Sequence, residues 1–172
     1  MTLVAPREIV DIVYRCCRVA NVDPGSSDDI AQAVAEAELV GTAGLAGFLS
    51  HHAAGSLDDV AVALRAIDVG EVQVRATGEP VSIDFDSSVA RPLLIRRLRQ
   101  AQARAVASAP TGPDTYVDGI HLTNEASTRS VNAPRRGYAG GVEVDTEAFE
   151  VATQIAREFL VSESVLDAAV PE

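Results

Sequence analysis

Residues 72–85 read VQVRATGEPVSIDF, and this stretch decides the fold class. Apolar residues alternate with polar ones on both sides of a turn at residues 77–80, whereas the segments before it have helical spacing. Alternation of this kind is typical of a strand that buries one face. The stretch therefore predicts a β-hairpin, whose inward-facing residues are Val72, Val74, Val81, Ile83 and Phe85.

Two helices are predicted at the start of the chain. Pro6 suits the first turn of a helix, and a broad apolar stripe runs from Ile9 to Cys17. A turn at residues 21–25 ends this helix. Ser26 and Asp29 then have the spacing of a capping box, which predicts that the second helix begins at Ser26.

Three glycines follow the second helix at every third position, and the first of them is well placed to end it. Glycines of this kind indicate either a helix packed closely on a neighbour or a turn whose N–H groups bind phosphate. Close packing is favoured because a helix, not a strand, precedes them. The stretch 51–55 is expected to be a loop, and a capping box at 56–59 starts a helix that ends before Gly70. The glycines are Gly41, Gly44 and Gly47.

Downstream of the hairpin, Ser87 or Ser88 is expected to cap a helix that runs to about Ser108. A strand is predicted over residues 116–122. Residues 124–141 are rich in Asn, Ser, Arg and Gly and predict a long loop, which in a folded domain is either functional or mobile.

The last predicted elements are a short strand at residues 142–144 and a helix capped by Asp145 that runs to about Val161. The predicted fold class is α+β, with an N-terminal helical segment followed by a small mixed or antiparallel sheet packed by two longer helices. One domain is expected over residues 1–172. Its helical part spans 1–68, and the hairpin, helix, strands and final helix span 71–161.

The charge of the chain excludes several classes of function. The formal net charge is −11 over 172 residues, and all 14 basic residues are arginine. Nucleic acids and anionic membranes are bound mainly through basic surfaces, so neither is an expected partner. The absence of lysine excludes Schiff-base catalysis, lysine-attached pyridoxal phosphate and the lysine of a P-loop. No cofactor is predicted.

The two cysteines, Cys16 and Cys17, are adjacent, and neighbouring cysteines rarely form a disulfide because the geometry is strained. Buried free thiols are the favoured interpretation, and a catalytic cysteine would need a histidine partner. With no CxxC pair and only three histidines, no metal site is predicted. No signal peptide or membrane span is visible, so a cytoplasmic location is expected.

The adjacent residues His51 and His52 are the weak catalytic candidates of this sequence. A histidine pair beside a glycine-rich turn could act as acid and base, or bind a metal with His121 or Asp118 as a further ligand. Polar loop residues explain the pair equally well.

Arginine clusters are the candidates for binding. The predicted loop combines three arginines with hydroxyl groups, and such a set suits a carboxylate or phosphate. Its predicted ligand-binding residues are Arg129, Arg135, Arg136 and Tyr138. A second cluster, on the predicted helix before it, could bind an anion or an acidic partner, but internal ion pairs on a solvated face are the favoured interpretation. Its members are Arg91, Arg96, Arg97, Arg99 and Arg104.

The order of these motifs resembles a bacterial family of unknown function known as DUF3726, over roughly residues 6–166. The motifs that carry the resemblance are Glu36 and Glu38 on the second helix, the Gly41–Leu49 turn, Arg91-Pro92-Leu93-Leu94, and Gly141-Val142-Glu143-Val144-Asp145. The resemblance implies a shared fold and brings no activity with it. Phe149 stands near a place where the family is expected to carry Trp.

The first two helices and the following turn are also similar to the start of the type-2 malate/lactate dehydrogenases. The motif of those enzymes after the second helix carries histidines, whereas residues 41–47 contain none. No catalytic residue therefore carries over, and the likeness implies only a shared helical topology at the start.

The chemistry on this sequence favours a non-catalytic binding or accessory protein, assembled as a homo-oligomer or with a partner enzyme, that binds an anionic metabolite. The alternative is a small metabolic enzyme that acts on a carboxylate substrate, with His51 or His52 as acid/base and an arginine of the 124–141 loop orienting the substrate.

Overall fold

The structure is a computed structural model that describes residues 1–102, 106–108, 116–124 and 141–167, with side chains over 1–100, 116–124 and 141–159. The helices are α1 (Pro6–Val19), α2 (Pro24–Leu39), α3 (Gly44–Ala54), α4 (Leu57–Thr77), α5 (Arg91–Gln102) and α6 (Thr146–Asp167). The strands are β1 (Thr2–Val4), β2 (Val81–Ala90), β3 (Val106–Ser108), β4 (Tyr116–Thr123) and β5 (Val142–Val144). The α+β fold class predicted from the sequence is confirmed.

Helix α2 occupies the centre of the helical layer and contacts α1, α3, α4 and α5. Helix α1 packs between α2 and α6 and buries the stripe expected from the sequence. The cap of α2 is Asp23, whose side chain accepts a hydrogen bond from the Ser26 N–H at 3.0 Å. The capping box predicted at Ser26 is therefore wrong, because Pro24, with its fixed φ, already occupies the first helical position.

Both sheets are antiparallel. Strand β1 pairs with β5, and the larger sheet has the order β2-β4-β3. In the larger sheet Val81 faces Leu122 and Ile83 faces Ile120 across the pair β2 and β4. These residues belong to the hydrophobic cluster or pack against it, and α4 contacts the same two strands. The sheet thus presents one apolar face to the helices.

The predicted hairpin is wrong in its first half. Val72 and Val74 lie on α4, which continues through Gly70 and ends at Thr77. A Cβ atom at Gly70 would lie 2.6 Å from the Ile83 Cδ1, so the glycine marks close approach of the strand and not the end of the helix. The turn was correctly placed, because Gly78 follows the helix with a positive φ of 76°.

Two further predictions fail around α3 and α5. His51 and His52 lie within α3 and not in a loop. The residues expected to cap a helix, Ser87 and Ser88, belong to β2, and α5 begins only at Arg91. Residues 106–108, expected at the end of that helix, form β3. Long-range strand pairing with β4 decides the segments 87–90 and 106–108, and local spacing does not report it.

The C-terminal elements follow the sequence more closely. The strand predicted at 116–122 is β4, the strand at 142–144 is β5, and Asp145 caps α6 by accepting the Ala148 N–H at 2.9 Å. Helix α6 extends to Asp167, beyond the predicted end. Within the described ranges, none of the helices is both long and apolar enough to cross a membrane.

Candidate anion-binding groove

A groove of about 340 Å³ lies where α1, α2 and α5 meet. Its floor is apolar and is formed by half-buried Val10 together with buried Ala35 and Leu39. Its polar lining consists of Arg7, Gln32, Glu36 and Arg96, and Pro6 completes it. Clefts of this size with an apolar wall and a few polar groups are typical small-molecule sites.

Ion pairs hold α5 against the neighbouring helices beside this groove. The Arg97 guanidinium lies 2.7 Å from Asp29 and 3.3 Å from Asp68, which joins α5 to both α2 and α4. Arg99 lies 3.1 Å from the Glu36 Oε1. The internal ion pairing that the sequence favoured is thus confirmed for Arg97 and Arg99. Burial raises the pKa of Asp68, and the Arg97 charge opposes that shift.

The groove keeps two guanidinium groups that have no ion pair of this kind. Arg7 is exposed and Arg96 is half-buried, and neither lies within 4 Å of a described carboxylate. Glu36, the acidic residue of the lining, is already bound to Arg99. The N-cap residue of α1 is Ala5, which has no side-chain group to cap the helix, and Pro6 and Arg7 of the first turn line the groove, so the positive end of the α1 dipole lies at its edge. The groove therefore has a positive lip above an apolar floor.

Two other grooves have a different chemistry. The groove between β1 and α6, of about 430 Å³, has one arginine, Arg157, which donates to Gln154 at 3.3 Å and shares the lining with Glu150. The groove between α4 and β2, of about 80 Å³, is lined by Asp59, Asp84 and Asp86. Neither suits an anion as well as the groove at Arg7 and Arg96 does.

Both ring nitrogens of His51 are bonded inside the fold. Its Nε2 accepts the Ala90 N–H at 3.0 Å, so its Nδ1 carries the proton and donates to the Ser56 Oγ at 2.8 Å. Burial lowers the pKa of His51, and Asp59 opposes the shift weakly. The ring therefore joins α3 to the β2–α5 junction as a neutral group. Its lone pair is occupied, which disfavours base catalysis and metal binding.

The bonds of His51 predict a dependence of stability on pH. Because its pKa is lowered in the folded protein, the unfolded chain binds a proton first, and we expect stability to fall as the pH drops below about 6.5. The loss of stability should be small at about pH 7.5 and clear at about pH 5.5, because the unfolded chain is protonated first. Urea unfolding at both pH values measures it in wild type, His51→Gln and His121→Gln.

The variant that lacks His51 should lose this part of the pH dependence, whereas His121→Gln, altered at a half-buried position on β4 away from His51, should keep it. An equal pH dependence in His51→Gln and wild type would contradict the role assigned to His51.

The structure does not bring the other predicted metal ligands to His51. His121 and Asp118 lie on β4, where they bond to Ser82 and Ser88 on β2. Over the described ranges, no three His, Cys, Asp or Glu side chains are grouped closely enough to hold a metal ion. His52 packs its ring against Phe48 and has a buried Nε2 with no partner among the described residues. An acid/base role for His52 stays a prediction.

Two of the three glycines, Gly44 and Gly47, serve close packing, whereas Gly41 follows the end of α2 with a positive φ of 77° and nothing within 4 Å of a Cβ atom. A Cβ atom at Gly44 would lie 2.7 Å from both the Ala37 Cβ and the Val34 carbonyl oxygen, which confirms the interpretation favoured from the sequence. Buried Glu38 lies at the N-terminus of α3, where a phosphate would otherwise bind. Its Oε1 accepts the Leu45 N–H at 2.7 Å. Burial raises the pKa of this carboxyl, and the backbone N–H groups of Leu45 and Gly44 oppose the shift.

The cysteines of α1 are free and buried, as expected. Burial raises the pKa of both Cys16 and Cys17 to about 12, so both thiols are protonated at neutral pH. A protonated, buried thiol is a poor nucleophile.

Some residues of the groove could not be found from the sequence. Arg96 was among the candidates, but Arg7 and Gln32 were not. These two residues come close to Arg96 only because three helices pack together. The signal that could have found Arg7 is its place in the first turn of a helix with no capping side chain. The loop candidates Arg129, Arg135, Arg136 and Tyr138 lie outside the described residues, as does Arg104 of the helix cluster.

Compared with known protein families, curated proteins and solved structures, the chain has no match. The resemblance to DUF3726 therefore stays a prediction.

Proposed function

We propose that this chain is a non-catalytic binding protein for a small anionic metabolite, held in the groove between α1, α2 and α5. The observation that carries the proposal is the pair Arg7 and Arg96, which has no described ion pair although acidic residues outnumber basic ones by 25 to 14. In so acidic a chain, two arginines that line one groove with no described carboxylate within 4 Å favour a ligand that supplies one.

The lining favours a medium-chain monocarboxylate as the class of ligand. The carboxylate would meet the guanidinium groups at the lip, and an alkyl chain would cover Val10, Ala35 and Leu39 on the floor. The Gln32 amide supplies a further donor beside them. Since Glu36 is bound to Arg99, its charge opposes the ligand less than a free carboxylate would.

Calorimetric titration with octanoate tests the proposal, and octanamide is the uncharged control of the same length. We expect octanoate to bind at least about tenfold more tightly than octanamide, the effect of a single good charged contact. The double variant Arg7→Gln/Arg96→Gln should lose this difference. Arg15→Gln, which removes a half-buried arginine of α1 that pairs with Asp11, should keep it. Equal binding of the two probes by wild type, or no binding of either, would contradict the proposal.

Assembly and location are the remaining parts of the proposal. We propose that the protein acts as a homo-oligomer or beside a partner enzyme in the cytoplasm, as a member of the DUF3726 family. The free thiols of Cys16 and Cys17 suit a reducing compartment. The motif order that runs from Glu36 to Asp145 supports the family.

A further inference from the structure

Helix α4 carries an apolar stripe on its outer face, in addition to the face that it buries. Val62 is 50% exposed, Val69 67% and Val72 66%, which makes these the most exposed valines of the described helices. They are spaced by seven and three residues, so they lie along one side of the helix. Arg65 and Ala76 continue the same line, and both are exposed. This set is called the α4 stripe below.

The spacing of the α4 stripe is that of a coiled-coil seam. Val62, Val69 and Ala76 recur every seven residues, and Arg65 and Val72 stand three residues after the first two of them. The buried residues of α4, such as Val60, Leu64 and Ile67, lie on a different face and explain how the helix is held to its own fold. The α4 stripe therefore takes no part in the packing of the described residues, and it suits a second helix.

Charges at the two ends of the α4 stripe determine whether the second helix runs parallel or antiparallel to α4. Asp58 is exposed in the first turn of α4, and Arg75 is exposed in its last turn. A parallel copy would place Asp58 against Asp58 and Arg75 against Arg75. An antiparallel copy places each acid near a base, which is the complementary arrangement.

We propose that two copies of this chain form a dimer through antiparallel pairing of their α4 stripes. A two-fold axis at the level of Ile67 sets Val62 opposite Val72 of the second copy, and Arg65 opposite Val69. The same axis sets Asp58 opposite Ala76 of the second copy, one residue from Arg75. Closed two-fold symmetry makes each of these contacts occur twice.

This inference rests on the proposed assembly as a homo-oligomer and is independent of ligand binding. The α4 stripe shares no residue with the groove at Arg7 and Arg96. A failed octanoate titration would therefore not contradict the proposed dimer, and a failed dimerisation test would not contradict the proposed ligand binding.

Sedimentation velocity over micromolar to submillimolar concentrations tests the interface on the full chain. We expect wild type to be a dimer and Val72→Glu to weaken dimerisation at least about tenfold, because the new carboxylate would lie against apolar Val62 and near Asp58 of the second copy. The matched control is Val151→Glu, at a valine of α6 that is 45% exposed and lies off the α4 stripe. This control should stay dimeric. Because both valines are exposed, unchanged circular dichroism is expected for both variants.

A charge-reversal cycle tests the orientation. Asp58→Arg and Arg75→Asp should each weaken the dimer, because each places like charges together, and the double variant should restore it. A monomeric wild type would overturn both the inference and the proposed homo-oligomer. A dimer that is insensitive to Val72→Glu would overturn the inference alone. Single reversals that weaken the dimer without rescue by the double variant would overturn the antiparallel arrangement.

Discussion

Replacing Gly119 with alanine is expected to lower the free energy of unfolding by about 3 kcal/mol. Gly119 lies in the middle of β4, directly opposite Asp84 on β2. A Cβ atom at this position would lie 2.5 Å from the Ile83 carbonyl oxygen and 3.2 Å from the Asp84 Cα. Both atoms belong to the backbone, so the overlap can be relieved only by moving the strands apart. That movement weakens the pairing that joins β2 to the core.

Urea unfolding measures this loss, and Gly25→Ala is its control. The nearest atom to a Cβ at Gly25 is the Asp23 Oδ1 at 3.4 Å, an ordinary contact, and Gly25 lies in the first turn of α2. The control should therefore be neutral or slightly stabilising. If Gly119→Ala were as stable as Gly25→Ala, the close pairing of β2 and β4 would be contradicted.

The substitution Glu38→Ala is expected to cost about 2 kcal/mol of stability. It removes the carboxylate that accepts the Leu45 N–H at 2.7 Å, and it leaves a buried donor without a partner at the start of α3. Glu38→Gln keeps an oxygen that can accept this hydrogen bond and avoids the cost of burying a charge. We therefore expect Glu38→Gln to be much closer to wild type than Glu38→Ala. Equal losses in the two variants would show that the hydrogen bond does not stabilise α3.

The pH dependence separates the charge of Glu38 from its hydrogen bond. Burial raises the pKa of this carboxyl in the folded protein, so the folded state binds a proton more readily than the unfolded one. Wild type should gain stability, relative to Glu38→Gln, as the pH falls from neutral towards the usual glutamate pKa of about 4.3. Urea unfolding of both proteins across this range measures the difference.

The sequence predicted the fold class and most helices because their apolar spacing reports burial directly. It failed at Val72 and Val74, where two alternations resemble a strand but belong to the last turns of a long helix. The decisive contact at this place is that of Gly70 with Ile83, which joins residues on two different elements. In a sequence, glycine is usually interpreted as a residue that ends a helix, whereas Gly70 lies inside a helix and allows a strand to approach it.

The candidate site was only partly predictable for a similar reason. Arg96 could be named from its helix, but the sequence could not say that Arg97 and Arg99 pair with acids and that Arg96 does not. That distinction depends on which residues of α2 and α4 face α5. The histidines show the same limit, because the Ala90 N–H that occupies His51 comes from 39 residues away along the chain.

The measurement that most directly tests the anion-binding groove is a titration of the wild-type protein with octanoate, followed by the chemical shifts of its backbone amides. The structure predicts that the largest shifts occur at the groove, at Arg7, Val10, Ala35, Leu39 and Arg96. Octanamide should cause much smaller shifts at the same positions. Shifts concentrated elsewhere in the chain, or an equal response to both probes, would contradict the account.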